Sequence, residues 1–169
     1  MNKKTVVLAV ALIAISFSSM AQYVDRSSFK AGFHAGLPIG DASEISSFSL
    51  GLDLAYHWGI SEMFDAGIST GFINAFEDTE SGVVIEGGFG DFQIIPLAAA
   101  LRLYPTYDFK LGFDAGYAIG VNEGNEGGLY LRPMMGYNIS GNTELNVSYI
   151  DVSNNGNFSM VALGVLFLF

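Results

Sequence analysis

The sequence of 169 residues contains no cysteine. Disulfides, thiolate nucleophiles and cysteine-based metal sites are therefore excluded. Charge is also scarce, because only 14% of the residues are charged, and Lys and Arg together number 7 against 17 Asp and Glu. Half of the chain is hydrophobic. So few charges could not cover the surface of an ordinary soluble domain, and the composition indicates a protein that lies largely out of water.

The N-terminus has the pattern of a secretory signal peptide. Lys3 and Lys4 precede an apolar run at 6–15, and a small-x-small cleavage site follows at Ser19–Ala21. We therefore predict a signal peptide at 1–21 and one domain at 22–169. Loss of the two lysines leaves five basic residues against 17 acidic ones, a net charge of −12. This balance argues against nucleic acid as a partner.

Beyond residue 21 no apolar run reaches about 20 residues, so no transmembrane helix is predicted. Side-chain character instead alternates with a period of two. The only non-helical structure that spans a bilayer is the closed β-barrel. The pattern predicts an all-β fold, an eight-stranded antiparallel up-and-down transmembrane β-barrel, with strands at 29–39, 48–58, 63–72, 92–104, 109–119, 129–139, 144–151 and 158–169.

The two faces of these strands differ in size. One face carries Phe, Leu, Ile, Tyr and Trp, and the other carries nine glycines with Ala and Ser. Because the interior of an eight-stranded barrel is only wide enough for its own side chains, the small face is predicted to line the lumen. One further prediction concerns strand 92–104, where the opposite parity of Phe92 and Ile94 indicates a bulge and a switch of faces at Pro96.

Charges on the small face are balanced. Four basic and four acidic residues occur there, and a narrow interior favours such balance because an unpaired buried charge is costly. We predict a lumen network that fills the barrel, with Asp114–Arg132 and Arg102–Asp65 as two of its pairs. An ion or substrate path is the alternative. The network residues are Lys30, Asp53, Asp65, Arg102, Lys110, Asp114, Arg132 and Glu144.

The two histidines, His34 and His57, also fall on the small face. Ser69, His34 and Asp53 could be drawn together as a nucleophilic site, but their spacing does not single them out. Buried structural histidines are the simpler interpretation. We therefore predict no enzyme activity, no metal site and no cofactor.

Connections alternate between short and long. The short ones are 59–62, 105–108 and 140–143, and in such barrels short turns face the periplasm. An aromatic girdle is predicted at that end, made of Phe29, Tyr56, Trp58, Phe64, Tyr104, Phe109, Tyr137, Phe167 and Phe169. The longer loops contain no Lys or Arg, and they carry Asp41, Glu44, Glu77, Asp78, Glu80, Glu86, Asp91, Glu123 and Glu126. These carboxylates either bind divalent cations that bridge to lipopolysaccharide or keep the loops solvated.

With its signal peptide, its eight alternating strands and the ending VLFLF, the chain resembles the small eight-stranded outer-membrane β-barrel proteins of Gram-negative bacteria. The resemblance implies a location in the cell outer membrane, contact with outer-membrane lipid and lipopolysaccharide, and a monomer. It also implies that the last strand is read by the barrel assembly machinery, through Leu163, Val165, Phe167 and Phe169.

The functional expectation is a structural or surface-interaction protein that displays acidic loops on a plugged barrel. A narrow porin or transporter for small or apolar solutes is the main alternative. A lipid-modifying enzyme and a soluble periplasmic lipid carrier are less favoured.

Overall fold

The computed structural model describes residues 27–77, 92–122, 124–154 and 156–169. The predicted signal peptide and its boundary at residue 21 lie outside these ranges and remain predictions. Within them, each strand pairs antiparallel with the next and β8 pairs with β1, so the sheet closes into a barrel. The elements are β1 (Ser28–Ile39), a 3-10 helix (Gly40–Glu44), β2 (Ser46–Ser61), β3 (Phe64–Glu77), β4 (Phe92–Leu103), β5 (Phe109–Gly120), β6 (Gly128–Ser140), β7 (Thr143–Ser153) and β8 (Asn157–Leu168).

All eight predicted strands are confirmed. The alternation that predicts these strands has a physical cause, because successive side chains of a strand face lipid and lumen in turn. The largest difference from the predicted bounds is at the start of β2 and the end of β3, where the pairing extends to Ser46 and Glu77. The predicted strand ends at residue 72, whereas in the structure Ile73 and Ala75 continue the buried face of β3. No helix of the described residues is long and apolar enough to cross a membrane.

The strands are tilted. A line of paired residues that leaves Phe29 on β1 and crosses all eight strands returns to β1 at Ile39, ten residues further on. This stagger corresponds to a tilt of about 40°, so that ten residues rise by about 25 Å along the barrel axis. Ten residues of β1 are therefore enough to cross the apolar part of a membrane.

The barrel has two distinct ends. We call the end with the connections β2–β3, β4–β5 and β6–β7 the turn end, and the opposite end the loop end. The start of β1 and the finish of β8 also lie at the turn end, where the amide of Phe169 donates to the carbonyl oxygen of Phe29 over 2.9 Å. That the turn end faces the periplasm is a prediction from the rule for such barrels.

The predicted change of faces at Pro96 is wrong. Burial alternates without interruption through β4, with Ile94, Pro96 and Ala98 inside. The pairing of β3 with β4 keeps one register on either side of Pro96. The proline lacks an N–H, but its carbonyl oxygen accepts a hydrogen bond of 2.8 Å from the hydroxyl of Thr70. The parity was misread because Phe92 and Ile94, although apolar, point into the lumen.

Candidate functional site

All eight residues of the predicted charge network face the lumen. Each is buried, with at most 8% of its surface exposed. They lie in the turn half and the middle of the barrel. The alternation of small and large residues was therefore sufficient to find these side chains, although it did not give their partners.

One ion pair crosses the whole lumen. The guanidinium of Arg132 on β6 donates to both carboxylate oxygens of Asp53 on β2, over 2.6 and 3.2 Å. In a barrel of eight strands, β2 and β6 lie opposite each other. His34 on β1 contacts the same carboxylate through Nδ1 at 2.8 Å, and Arg132 Nε donates to the hydroxyl of Ser148 over 3.1 Å. The carboxylate of Asp53 thus links strands β1, β2 and β6.

Two further ion pairs belong to this network. Arg102 binds Asp114 with both of its terminal nitrogens, and Lys110 binds Glu144. The predicted pairs Asp114–Arg132 and Arg102–Asp65 are directly opposite in the strand register, as expected. The charged groups nevertheless choose other partners, because an arginine is long enough to reach past its nearest neighbour.

The turn end of the lumen is covered by Tyr104. This residue was predicted to belong to the aromatic girdle, but only 8% of its surface is exposed. Its ring lies inside, and its hydroxyl accepts a hydrogen bond of 3.4 Å from Lys30 Nζ. The amide of Tyr104 also donates to the carbonyl oxygen of Met63 in the preceding turn. The girdle prediction is therefore wrong for Tyr104, which continues the inward parity of Arg102 in β4.

The loop half of the lumen is mostly apolar, which the pattern of small residues on the inward face did not predict. Ile73, Ile94, Ile150 and Met160 have no exposed surface. Phe92 and Phe158 stack above them with ring centroids 4.4 Å apart. The 3-10 helix adds Ala42 from above, so that the layer continues into the first loop. We call this group of residues the apolar layer. Its signal was weak because these side chains are as large and apolar as those that face lipid, although Ile94, Ile150 and Met160 lie within predicted strands.

Glycines make room for the large lumen side chains. A methyl group on Gly51 would lie 2.3 Å from two ring atoms of His34. On Gly136 it would lie 2.7 Å from Lys110 Cε and 2.8 Å from Glu144 Oε1. His34, Lys110 and Glu144 therefore each lie across a glycine of a neighbouring strand. This explains why the lumen face combines glycine with charged residues.

The histidines are buried, as their parity predicted, with 1% of each exposed. Among the residues in the described ranges, no group of three His, Asp or Glu side chains is placed to hold a metal ion. The carboxylate of Asp53, which binds His34, is also held by Arg132. The proposed combination with Ser69 therefore has its acidic member engaged in an ion pair across the lumen.

The outer wall carries the apolar belt. Its large side chains are exposed on the isolated chain, among them Leu52 at 60% and Leu163 at 66%. Asp151 is the only charged side chain on the outward face of the described strands, and it lies near the loop end. Its two oxygens accept hydrogen bonds of 2.6 Å from Ser153 and Ser159. This polar group marks where the belt ends on β7 and β8.

The predicted assembly residues all lie on the outward face of β8 or just beyond it. Leu163, Val165 and Phe167 alternate with buried residues, and Phe169 is 77% exposed. The rings of Phe29 and Phe169 lie 6.2 Å apart at the seam where the barrel closes. The structure thus places these side chains on the lipid-facing surface, while their reading by the assembly machinery stays a prediction.

No protein-family model matches the sequence, and no curated protein matches it either. Several solved structures do match the structure of this chain. The outer membrane protein Ail of Yersinia pestis has a TM-score of 0.58 at 15% identity, over 85% of this chain and all of Ail. The N-terminal β-barrel domain of Pseudomonas aeruginosa OprF has a TM-score of 0.55 at 15% identity, over 86% of this chain and 99% of that domain. Neisserial surface protein A has a TM-score of 0.51 at 12% identity, over 83% of this chain and 97% of that protein.

At these identities the likeness is one of fold. The belt of exposed apolar side chains agrees with that fold and with the predicted location in the outer membrane. The chain has the fold of the small eight-stranded outer-membrane β-barrels.

Proposed function

We propose that this chain is a sealed outer-membrane barrel, which conducts no solutes and serves as a rigid base for acidic loops on the cell surface. The observation that carries the proposal is the ion pair between Arg132 and Asp53, which joins opposite walls of the lumen. An interior of eight strands has room for little besides its own side chains. A solute would have to break this pair to pass.

The apolar layer supports the same conclusion. Any ion that passed the charge network would next meet the packed side chains of Ile73, Ile94 and Met160, where the buried hydroxyl of Ser49 is already directed to the Met160 sulfur. Transfer of an ion from water into such surroundings is strongly unfavourable. The lumen thus contains two different barriers in series, one of paired charges and one of packed hydrocarbon.

Conductance of the purified barrel in planar bilayers tests the seal. The wild-type protein is expected to give no steady channels. A matched variant with Arg132→Ser, Asp53→Ser, Ile94→Gly and Met160→Gly removes the ion pair across the lumen and opens the apolar layer, and it is expected to conduct. Its fold is checked by the shift in gel mobility on heating. Steady ohmic channels from the wild type would overturn the proposal and favour the narrow porin.

The surface charge supports a role for the loops. Outside the predicted signal peptide, the four basic residues that the structure describes all lie in the lumen. The exposed acidic residues of the loop end include Asp41, Glu44 and Glu126. Of the other predicted loop carboxylates, Asp78, Glu80, Glu86, Asp91 and Glu123 lie outside the described residues, as does the side chain of Glu77. We infer that the loops attract cations and repel anions.

A contrast with Ail follows. Ail has been solved in complex with the heparin analogue sucrose octasulfate. A polyanion of this kind would be repelled by the acidic loops of the present chain. In lipid nanodiscs at physiological salt, the barrel is expected to bind polylysine and not heparin. Saturable heparin binding, or no binding of polylysine, would contradict a cation-attracting surface.

An enzymatic function is not proposed. Catalysis needs a nucleophile and base that a substrate can reach. His34 and His57 are buried in the lumen, with 1% of each exposed. A lipid-modifying activity is tested by the lipid profile of cells that express the His34→Gln variant, which we expect to be unchanged.

A further inference from the structure

The apolar surface of the outer wall is unusually short on β7. The large outward side chains of this strand are Leu145, Val147 and Tyr149, and they are followed by Thr143 on the turn side and by Asp151 on the loop side. Asp151 lies eight positions after Thr143, which corresponds to about 20 Å along the barrel axis. Barrels of this kind usually present an apolar band of about 25 Å to the membrane. The lipid-facing surface of β7 is therefore shorter than the membrane that it crosses.

The same surface is longer on β5. The outward side chains of this strand are apolar or aromatic from Phe109 to Val121, which lie twelve positions apart. This distance corresponds to about 30 Å along the barrel axis. The two strands of one barrel thus fit bilayers of different thickness.

The short region is two strands wide. Ser159 on β8 is the register partner of Asp151, and the two oxygens of Asp151 accept hydrogen bonds of 2.6 Å from Ser153 and Ser159. We call these three residues the polar notch. On the neighbouring strands, apolar residues lie at the height of Asp151 or above it, with Leu129 on β6 52% exposed and Ile39 on β1 39% exposed.

The charge of the polar notch is not compensated by the protein. The basic residues of the described ranges all point into the lumen, and the two hydrogen-bond donors of Asp151 are neutral hydroxyls. A carboxylate without a counter-charge is costly to hold in hydrocarbon. Polar lipid headgroups therefore have to reach Asp151. An ammonium group matches both the charge of this carboxylate and its capacity to accept hydrogen bonds.

We propose that the polar notch binds an ammonium-bearing lipid headgroup of the outer leaflet and draws it about 5 Å toward the membrane centre, since a bilayer thins beside an apolar surface that is too short for it. The bilayer is then thinner beside β7 and β8 than beside β5. Neither the sealed lumen nor the acidic loops is required for this binding.

Nitroxide labels can measure the local depth, because the chain has no cysteine and each single-cysteine variant carries one label. Tyr149→Cys places the label next to Asp151 on β7. Leu97→Cys places it at the same height on β4 beside β5, about 14 Å above Phe29 by the strand register. Both side chains face outward and are exposed by 39% and 59%.

The depth of each label is obtained from its relative accessibility to oxygen and to a water-soluble nickel chelate. In nanodiscs of phosphatidylcholine and phosphatidylethanolamine, the label at 149 is expected to lie about 5 Å closer to the membrane surface than the label at 97. Equal depths would overturn the proposal, since Asp151 would then lie in an undisturbed bilayer.

The Asp151→Leu variant tests whether the carboxylate is responsible. It lengthens the apolar surface of β7 and is expected to bring the label at 149 to the depth of the label at 97. Its fold is checked by the shift in gel mobility on heating. A difference in depth that persists in this variant would contradict headgroup binding by Asp151.

The headgroup is identified by a change of lipid. When phosphatidylglycerol replaces phosphatidylethanolamine in the nanodiscs, the difference in depth between the two labels is expected to decrease, because the ammonium group is lost. An equal difference in both lipids would overturn the preference for an ammonium headgroup and assign the thinning to the short apolar surface alone.

Discussion

Arg132 and Asp53 form an ion pair between opposite walls of the barrel, on strands that are separated by three others in either direction. His34 holds the same carboxylate from a third strand. A cross-brace of this kind resists flattening of the barrel, which the hydrogen bonds between neighbouring strands cannot do alone. The lumen charges therefore contribute to shape as well as to closure.

The Arg132→Met variant is expected to lose stability. It leaves Asp53 buried without its main partner, and removal of one member of a buried pair costs about 3–5 kcal/mol. The free energy of unfolding can be measured by urea titration in lipid vesicles, with the fluorescence of Trp58, the single tryptophan, as the signal.

The double variant Arg132→Met with Asp53→Leu is the matched control. Replacement of both members by apolar residues removes the unpaired charge, so it is expected to recover most of the loss. If the free energy of unfolding of Arg132→Met is within about 0.5 kcal/mol of wild type, the usual range of surface changes, the ion pair contributes little to stability.

Gly51→Ala is expected to displace His34. The new methyl group would lie 2.3 Å from the imidazole, which must then leave its position beside Asp53. Overpacking of this kind costs about 1–3 kcal/mol. Gly141→Ala serves as the control, because a methyl group there meets no atom within 4 Å.

A double-mutant cycle with His34→Ala checks the mechanism. If the imidazole is what the methyl group displaces, Gly51→Ala costs clearly less in the His34→Ala background. Equal costs in the two backgrounds would mean that Gly51 is needed for the backbone instead.

The sequence was enough to predict the barrel because its information is local. A period of two assigns each residue of a strand to one face, and eight such segments predict the strands, their order and the inward position of Lys30, Asp114 and both histidines. None of this depends on which strand lies opposite which across the lumen.

The partners inside the lumen could not be predicted in the same way. Arg132 and Asp53 are 79 positions apart in sequence, and their meeting depends on closure of the barrel and on side-chain length. Tyr104 was misassigned because it was grouped with the outward aromatic residues, although it has the same parity as the inward-facing Arg102. The apolar layer was missed because Ile73 and Ile94 resemble lipid-facing residues in every respect except the face they occupy.

Two isoleucines of β3 test this distinction between faces. Ile73 lies in the lumen with no exposed surface, whereas Ile68 faces outward with 54% exposed. The Ile73→Ala variant creates a cavity in a packed core and is expected to cost about 2–5 kcal/mol. In the same urea titration, Ile68→Ala is expected to cost less, because lipid or detergent fills the space that the side chain leaves. Equal losses would indicate that the loop half of the lumen is not tightly packed.

Phe169 separates assembly from stability. Its ring is 77% exposed and its backbone amide makes the hydrogen bond to Phe29, which alanine can retain. The Phe169→Ala variant is therefore expected to refold in detergent with a free energy of unfolding within about 0.5 kcal/mol of wild type. If the assembly machinery reads this side chain, as the resemblance implies, the same variant is depleted from the outer-membrane fraction of cells.

Tyr107→Ala is the matched control, since this aromatic residue is 86% exposed in a turn and is expected to leave both measurements unchanged. Wild-type amounts of the Phe169→Ala protein in the outer membrane would exclude a role for this residue as a signal, and a parallel loss in detergent would assign it to packing at the seam between β1 and β8.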